Sequence, residues 1–161
     1  MKIAQIVCAY PPYAGGIGNS AVQIGRLLGE RHEVSNFAPQ TMKPWLRYGH
    51  GAFLPQLLFR LDKFDCLYLH YPFFGTAEVV WLFKIFHPRK RLIIHYHMDV
   101  KNLGMAAKVL SLPSRLIRRS LLNQAETIIS ASFDYIKSSQ ISRYYEAHPE
   151  KFREIPFGLD T

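Results

Sequence analysis

Residues able to do chemistry gather at a few points of this 161-residue chain. Gly15-Gly16-Ile17-Gly18 follows an apolar run, Lys2-Ile3-Ala4-Gln5-Ile6-Val7-Cys8, and opens a helical pattern that continues to Glu30. A strand, a glycine loop and a helix in that order build an anion site. Glycine lets the backbone approach a phosphate closely, and the N–H groups of the first helical turn point at it. The stretch Gly16-Ile17-Gly18-Asn19-Ser20-Ala21 also has the G-x-G-x-x-A spacing of a dinucleotide fingerprint. A loop containing Pro11-Pro12 separates these glycines from the strand, and the second strand ends Ser35-Asn36-Phe37-Ala38 with no acid to hold a ribose. The expectation is therefore a nucleotide or another phosphorylated ligand, with a tight turn that binds nothing as the alternative.

The second point is His95-Tyr96-His97-Met98-Asp99. Alternate residues of an extended strand share a face, so His95, His97 and Asp99 can converge. His-x-His-x-Asp is a ligand spacing of binuclear metallohydrolases, in which imidazole and carboxylate hold zinc. Here Val100 stands where a further His would follow, and a parallel sheet suits that chemistry poorly. A hydrogen-bonded structural histidine is the plainer reading, and it fits His95 better than His97. The third point, His70-Tyr71-Pro72, places a proline at a strand exit, where it ends the hydrogen-bonded ladder.

The elements that must position these residues alternate. Strands are expected at 2–8, 33–38, 65–70, 91–96, 126–130 and 151–155, and helices at 19–30, 51–61, 75–86, 105–123 and 132–142. Cys66-Leu67-Tyr68-Leu69 and Leu92-Ile93-Ile94 are near-continuous apolar runs, as in strands covered on both faces. The expected fold is α/β, a Rossmann-like, doubly wound, mainly parallel sheet with helices on both faces, spanning 1–161 as one domain. Ligands of such sheets bind beyond the C-terminal ends of the strands, where the residues above fall.

Composition narrows the partners. Hydrophobic residues make up 48% and charged residues 20%, a globular balance, and the formal net charge of +8 favours anionic partners. Nothing in the sequence matches a zinc finger, a helix-turn-helix or an RNA-binding signature, so nucleic acid is not expected. Arg115, Arg118 and Arg119 have the spacing of a solvated helix face. The segment 43–60 mixes Lys43, Arg47 and Arg60 with Trp45, Leu46 and Phe59, a composition suited either to an anionic membrane surface or to a helix packed on the sheet. Cys8 and Cys66 sit in apolar runs and read as reduced, buried thiols. With no signal-peptide pattern and no bilayer-length apolar run, the expected location is cytoplasmic, with peripheral contact at the inner face of the membrane.

Taken in order, these segments resemble the N-terminal domain of family 4 glycosyltransferases (glycosyl transferase group 1), enzymes of the GT-B fold. The resemblance rests on Pro11-Pro12-Tyr13-Ala14-Gly15-Gly16-Ile17-Gly18, on Leu27-Leu28-Gly29-Glu30-Arg31-His32-Glu33-Val34 and on Phe64-Asp65-Cys66-Leu67-Tyr68-Leu69-His70-Tyr71-Pro72. It continues through Ile93-Ile94-His95-Tyr96-His97-Met98-Asp99-Val100, Ala125-Glu126-Thr127-Ile128-Ile129-Ser130-Ala131-Ser132 and Lys151-Phe152-Arg153-Glu154-Ile155-Pro156-Phe157-Gly158-Leu159-Asp160. It implies a retaining transferase that moves a sugar from a nucleotide-sugar to a hydroxyl of a glycan or lipid-linked acceptor, with no metal or other cofactor required. Gly15, Gly16 and Ile17 would meet the donor diphosphate, and His97 would contact the donor sugar near the reacting centre. Asp99 would orient hydroxyls beside it, and Tyr71, Pro72 and Ser132 would line the acceptor side. A C-terminal nucleotide-sugar domain is expected to follow, and without it these residues are expected to be inactive. A free-standing nucleotide-binding module and a metal-dependent hydrolase using His95, His97 and Asp99 are the other readings.

Overall fold

The structure, a computed structural model, describes residues 1–12, 15–49, 51–100 and 111–156. Six strands form one parallel sheet: β1 (Lys2–Ile6), β2 (Glu33–Phe37), β5 (Cys66–Tyr71), β6 (Arg91–Tyr96), β7 (Thr127–Ser130) and β8 (Phe152–Glu154). Their spatial order is β2-β1-β5-β6-β7-β8, and every neighbouring pair is parallel. The chain winds outward from β1 in both directions, so the topological switch point lies between β1 and β5, where such sheets form a crevice. The helices are α1 (Gly16–Gly29), α2 (Thr76–Phe86), α3 (Leu112–Gln124), α4 (Phe133–Ser138) and α5 (Ser142–Ala147). This is the Rossmann-like α/β architecture that the alternation of segments implied. The expected helix at 132–142 is two short helices, and residues 105–110 of the expected helix 105–123 lie outside the described residues. No helix among the described residues is long and apolar enough to cross a membrane.

Strand period sorts the side chains onto two faces. Ala4 and Ile6, Leu67, Leu69 and Tyr71, Leu92, Ile94 and Tyr96, and Ile128 form the larger core with α2, α3, α4 and α5. Ile3, Cys66, Tyr68 and Ile129 form a smaller one, against which Ile24 and Leu28 of α1 pack. Both cysteines are free thiols, and burial pushes each up to about 11.

The segment 51–61 departs from expectation. In place of a helix there is a hairpin, β3 (Leu46–Tyr48) paired antiparallel with β4 (Gly51–Phe53), followed by 3-10 turns at Pro55–Phe59 and Leu61–Lys63. Pro44 and Pro55 flank the hairpin and Gly49, at φ 55°, turns it. Its second strand is tied to the start of α2: Ala52 N–H donates to the Phe74 carbonyl at 3.0 Å, and the Thr76 hydroxyl donates to the Ala52 carbonyl at 2.6 Å. Aromatic periodicity alone does not separate such a hairpin from a short helix.

Gly75 makes this tie possible. It sits at φ 87°, and a Cβ there would meet the Ala52 carbonyl oxygen at 2.6 Å and the Tyr48 hydroxyl at 2.7 Å. Gly75→Ala therefore adds backbone strain to a steric clash, and is expected to lower unfolding free energy by about 2 kcal/mol or more. Urea unfolding measures this, and an unchanged midpoint would show that the hairpin does not depend on that contact.

Candidate functional site

A buried cluster of three histidines forms where β5 and β6 end. Parallel register sets His70 opposite His95, and His97 follows two residues on, with its N–H bonded to the Tyr71 carbonyl at 2.9 Å. The rings stack: centroids are 5.6 Å apart for His70 and His95, 5.0 Å for His70 and His97, and 4.2 Å for His95 and His97. His70 and His95 are buried and His97 is half-buried at the strand exit. The Tyr68 hydroxyl lies 3.0 Å from His95 Nδ1, which fits the structural role expected of that residue.

Gln5, fully buried in β1, joins the cluster to α1. Its Nε2 is 2.7 Å from the Ala21 carbonyl and 2.9 Å from His70 Nε2, and His70 Nδ1 is 2.8 Å from His97 Nε2. Gly25 of α1 makes room for this amide, since a Cβ there would meet Gln5 Oε1 at 2.7 Å. The bonding pattern assigns the hydrogens. An amide nitrogen only donates, so His70 Nε2 accepts from Gln5. A neutral imidazole then carries its hydrogen on the other nitrogen, and His70 Nδ1–H donates to His97 Nε2. His97 in turn holds its hydrogen on Nδ1. From Gln5, which also donates to the Ala21 carbonyl, the bonds through His70 to His97 therefore run in a single direction.

All three imidazoles are held neutral. Burial lowers His97 to about 3, with His95 adding to the effect, and lowers His95 to about 4. Burial, and after it the neighbouring His97 and His95, keeps His70 well below its ordinary range. Neutral imidazole is also the metal-binding form, and one nitrogen from each of the three rings lies within 4.8 Å of the others. The near-parallel planes, tilted by 10 to 18°, do not aim their lone pairs at one point. Holding zinc at about 2.0–2.1 Å would require the rings to turn and the His70–His97 bond to break.

The other expected site residues separate. Asp99 does not join the histidines: both its oxygens lie 3.1 Å from the Gln140 N–H, and Oδ1 accepts from the Tyr96 hydroxyl at 2.5 Å. β6 ends at Tyr96, and strand alternation no longer governs the residue three positions later. Tyr71 and Pro72 line a cavity of about 170 Å³ on the opposite face, together with Tyr96, Met98 and Arg118. Ser132 caps α4, its hydroxyl accepting from the N–H groups of Asp134 at 3.2 Å and Tyr135 at 3.4 Å. Gly15 precedes α1 in extended conformation at φ −177°, and a Cβ on Gly16 would meet nothing within 4 Å. Packing therefore does not demand glycine at Gly16. The first bond of α1 runs from Asn19 N–H to the Gly15 carbonyl at 2.9 Å, so Gly16, Ile17 and Gly18 have no acceptor within the helix. No side chain caps this end and no acid lies in its first turn.

Sequence reasoning passed over Gln5 and Arg118. The signal for Gln5 was a lone amide in an apolar central strand. Arg118 was assigned to a solvated face and is instead half-buried beside Tyr71. The fold and this edge define a Rossmann-like α/β domain with a polar cluster at its switch point. No protein-family model matches the chain, and no curated protein matches it.

The depressed imidazoles make stability depend on pH. Unfolded histidines take up protons below about 6.5, whereas His95 and His97 in the folded chain refuse them down to about 4 and about 3. Stability is thus full above about pH 6.5 and falls as pH drops through the window below it. Urea unfolding is expected to show a loss of at least about 2 kcal/mol between pH 7 and pH 5. Equal midpoints at the two pH values would mean that the cluster titrates normally.

Proposed function

We propose that this chain is the N-terminal, acceptor-side half of a retaining glycosyltransferase that moves a sugar from a nucleotide-sugar to a hydroxyl of a glycan or lipid-linked acceptor. The observation that carries the reading is the directed chain that starts at Gln5 inside β1, crosses to His70 in β5 and ends at His97, just past the end of β6. Burial keeps His97 neutral and this chain puts its hydrogen on Nδ1, the state needed to hold a donor-sugar hydroxyl while the ring distorts toward an oxocarbenium-like transition state. Negative charge grows on the departing diphosphate. The N–H groups of Gly16 and Ile17, with Gly15 just before them, supply fixed dipoles to stabilise it, and no metal is needed for that step.

In this reading Asp99 is a positioning residue, since its carboxylate ties the β6 exit to the start of α5 through Gln140. Tyr71 and Pro72 border the acceptor cavity. Ser132 shapes the neighbouring turn through its cap. The hairpin exposes Trp45 and Leu46 near Arg47, and Phe59 stands out beside Arg60, which supports peripheral contact with an anionic membrane surface from the cytoplasmic side. A metal-dependent hydrolase is the second reading, supported by the spacing of the His70, His95 and His97 nitrogens. Metal analysis of the purified chain separates the two.

The test is a transfer assay with labelled nucleotide-sugars and a membrane lipid extract. Residues 1–161 are assayed alone and together with a nucleotide-sugar-binding α/β domain as donor half. Transfer is expected only in the pair, because the site of one half is open to water and lacks the donors of the other. His97→Ala is expected to cut turnover by about 10²–10³-fold with the unfolding midpoint retained. Equal transfer by the two samples would remove the two-domain requirement, and full activity of His97→Ala would remove His97 from the site.

A further inference from the structure

The cavity on the opposite face of the sheet has a chemistry of its own. Its floor is aromatic: Tyr71 and Tyr96 stack with centroids 5.7 Å apart, and Phe74 and Met98 extend the apolar wall. Arg115 and Arg118, one turn apart on α3, close the other side. Tyr71 is 3% exposed, yet its O–H finds no acceptor, and the buried Arg118 Nε finds none either. The two groups are neighbours: burial pushes the Tyr71 phenol up, and the Arg118 guanidinium, through its charge and a hydrogen bond to the phenol oxygen, pulls it partway back.

Two acids lie near them without bonding to either: Asp99 is taken by the Tyr96 hydroxyl and the Gln140 N–H, while Glu78 accepts from the Ser114 hydroxyl on one oxygen and keeps the other, Oε2, buried without a partner. Neither arginine forms an ion pair among the described residues. Two adjacent buried donors without acceptors are costly in an apolar-walled cavity, and a single oxyanion satisfies both.

We propose that this cavity binds the phosphate group of a ligand with an apolar flank. One phosphate oxygen accepts from the Tyr71 hydroxyl and Arg118 Nε, Arg115 supplies the second positive charge, and Tyr96, Phe74 and Met98 cover the apolar part. Two guanidiniums match a dianionic phosphate better than a singly charged carboxylate. That this ligand is the acceptor rests on the transferase reading; that the cavity binds it does not. A lipid phosphate and a soluble phosphate ester share this chemistry.

The experiment is an amide-resolved NMR titration of the chain with hexyl phosphate, inorganic phosphate and the neutral hexyl glucoside, and with phosphatidylcholine vesicles doped with phosphatidic acid. Hexyl phosphate is expected to move amides around Tyr71, Met98 and Arg118, and to bind roughly tenfold tighter than either the glucoside or inorganic phosphate. Tyr71→Phe and Arg118→Gln are each expected to weaken it roughly fivefold or more without lowering the unfolding midpoint, since each removes an unsatisfied donor. Vesicles that move the same amides identify a lipid source; a response to hexyl phosphate alone identifies a soluble one. Equal affinity for the glucoside, equal affinity for inorganic phosphate, or unaltered binding in both variants overturns the assignment. Failure of sugar transfer with this binding intact counts against the transferase alone.

Discussion

Gln5 is a fully buried amide in a strand that has neighbours on both sides, and that constraint organises the site. A buried amide must find partners or cost the fold heavily. Its nitrogen finds them in the Ala21 carbonyl of α1 and in His70 of β5. One side chain thus fixes the seat of α1 against the sheet, the tautomer of His70 and, through His70, that of His97. The glycine at Gly25 belongs to the same arrangement, because a Cβ there would press on the Gln5 carbonyl oxygen and force the amide to shift.

The edge of the sheet carries two chemistries that do not mix. The odd-even alternation along β5 and β6 sends His70 and His95 to the α1 face, and Tyr71 and Tyr96 to the face covered by α2 and α3. Neutral imidazoles stand on one side and cationic guanidiniums on the other, separated by the sheet. Among the described residues ion pairs are few. The shortest of them, Arg91 with Glu126 at 2.8 Å, is half-exposed at the opposite end of β6, where solvent screens it and its worth is small.

Asp99 shows how a motif can be read correctly and placed wrongly. The spacing His-x-His-x-Asp holds its promise only while the chain stays extended. His95 and His97 keep it; past Tyr96 the chain turns, and Asp99 spends its carboxylate on the Tyr96 hydroxyl and the N–H that follows Ser139. Ser132 has a comparable fate, its hydroxyl satisfying the first turn of α4 rather than facing a ligand.

By itself the sequence determined the sheet: apolar runs of strand length alternating with amphipathic helical segments leave a parallel, doubly wound arrangement as the natural way to bury both faces, and six strands lie where that pattern put them. It also marked the glycine entry to α1 and the shared face of His95 and His97, because both are local and follow from strand and helix period. Only the tertiary structure decided what crosses between strands. Gln5 meets His70 across 65 positions of chain, Tyr71 meets Arg118 across the β5–α3 gap, and the hairpin at Leu46–Phe53 exists because α2 holds it. Such contacts depend on register and packing, which no local periodicity encodes, and so the residues that orient the candidate site remained hidden until the strands were laid side by side.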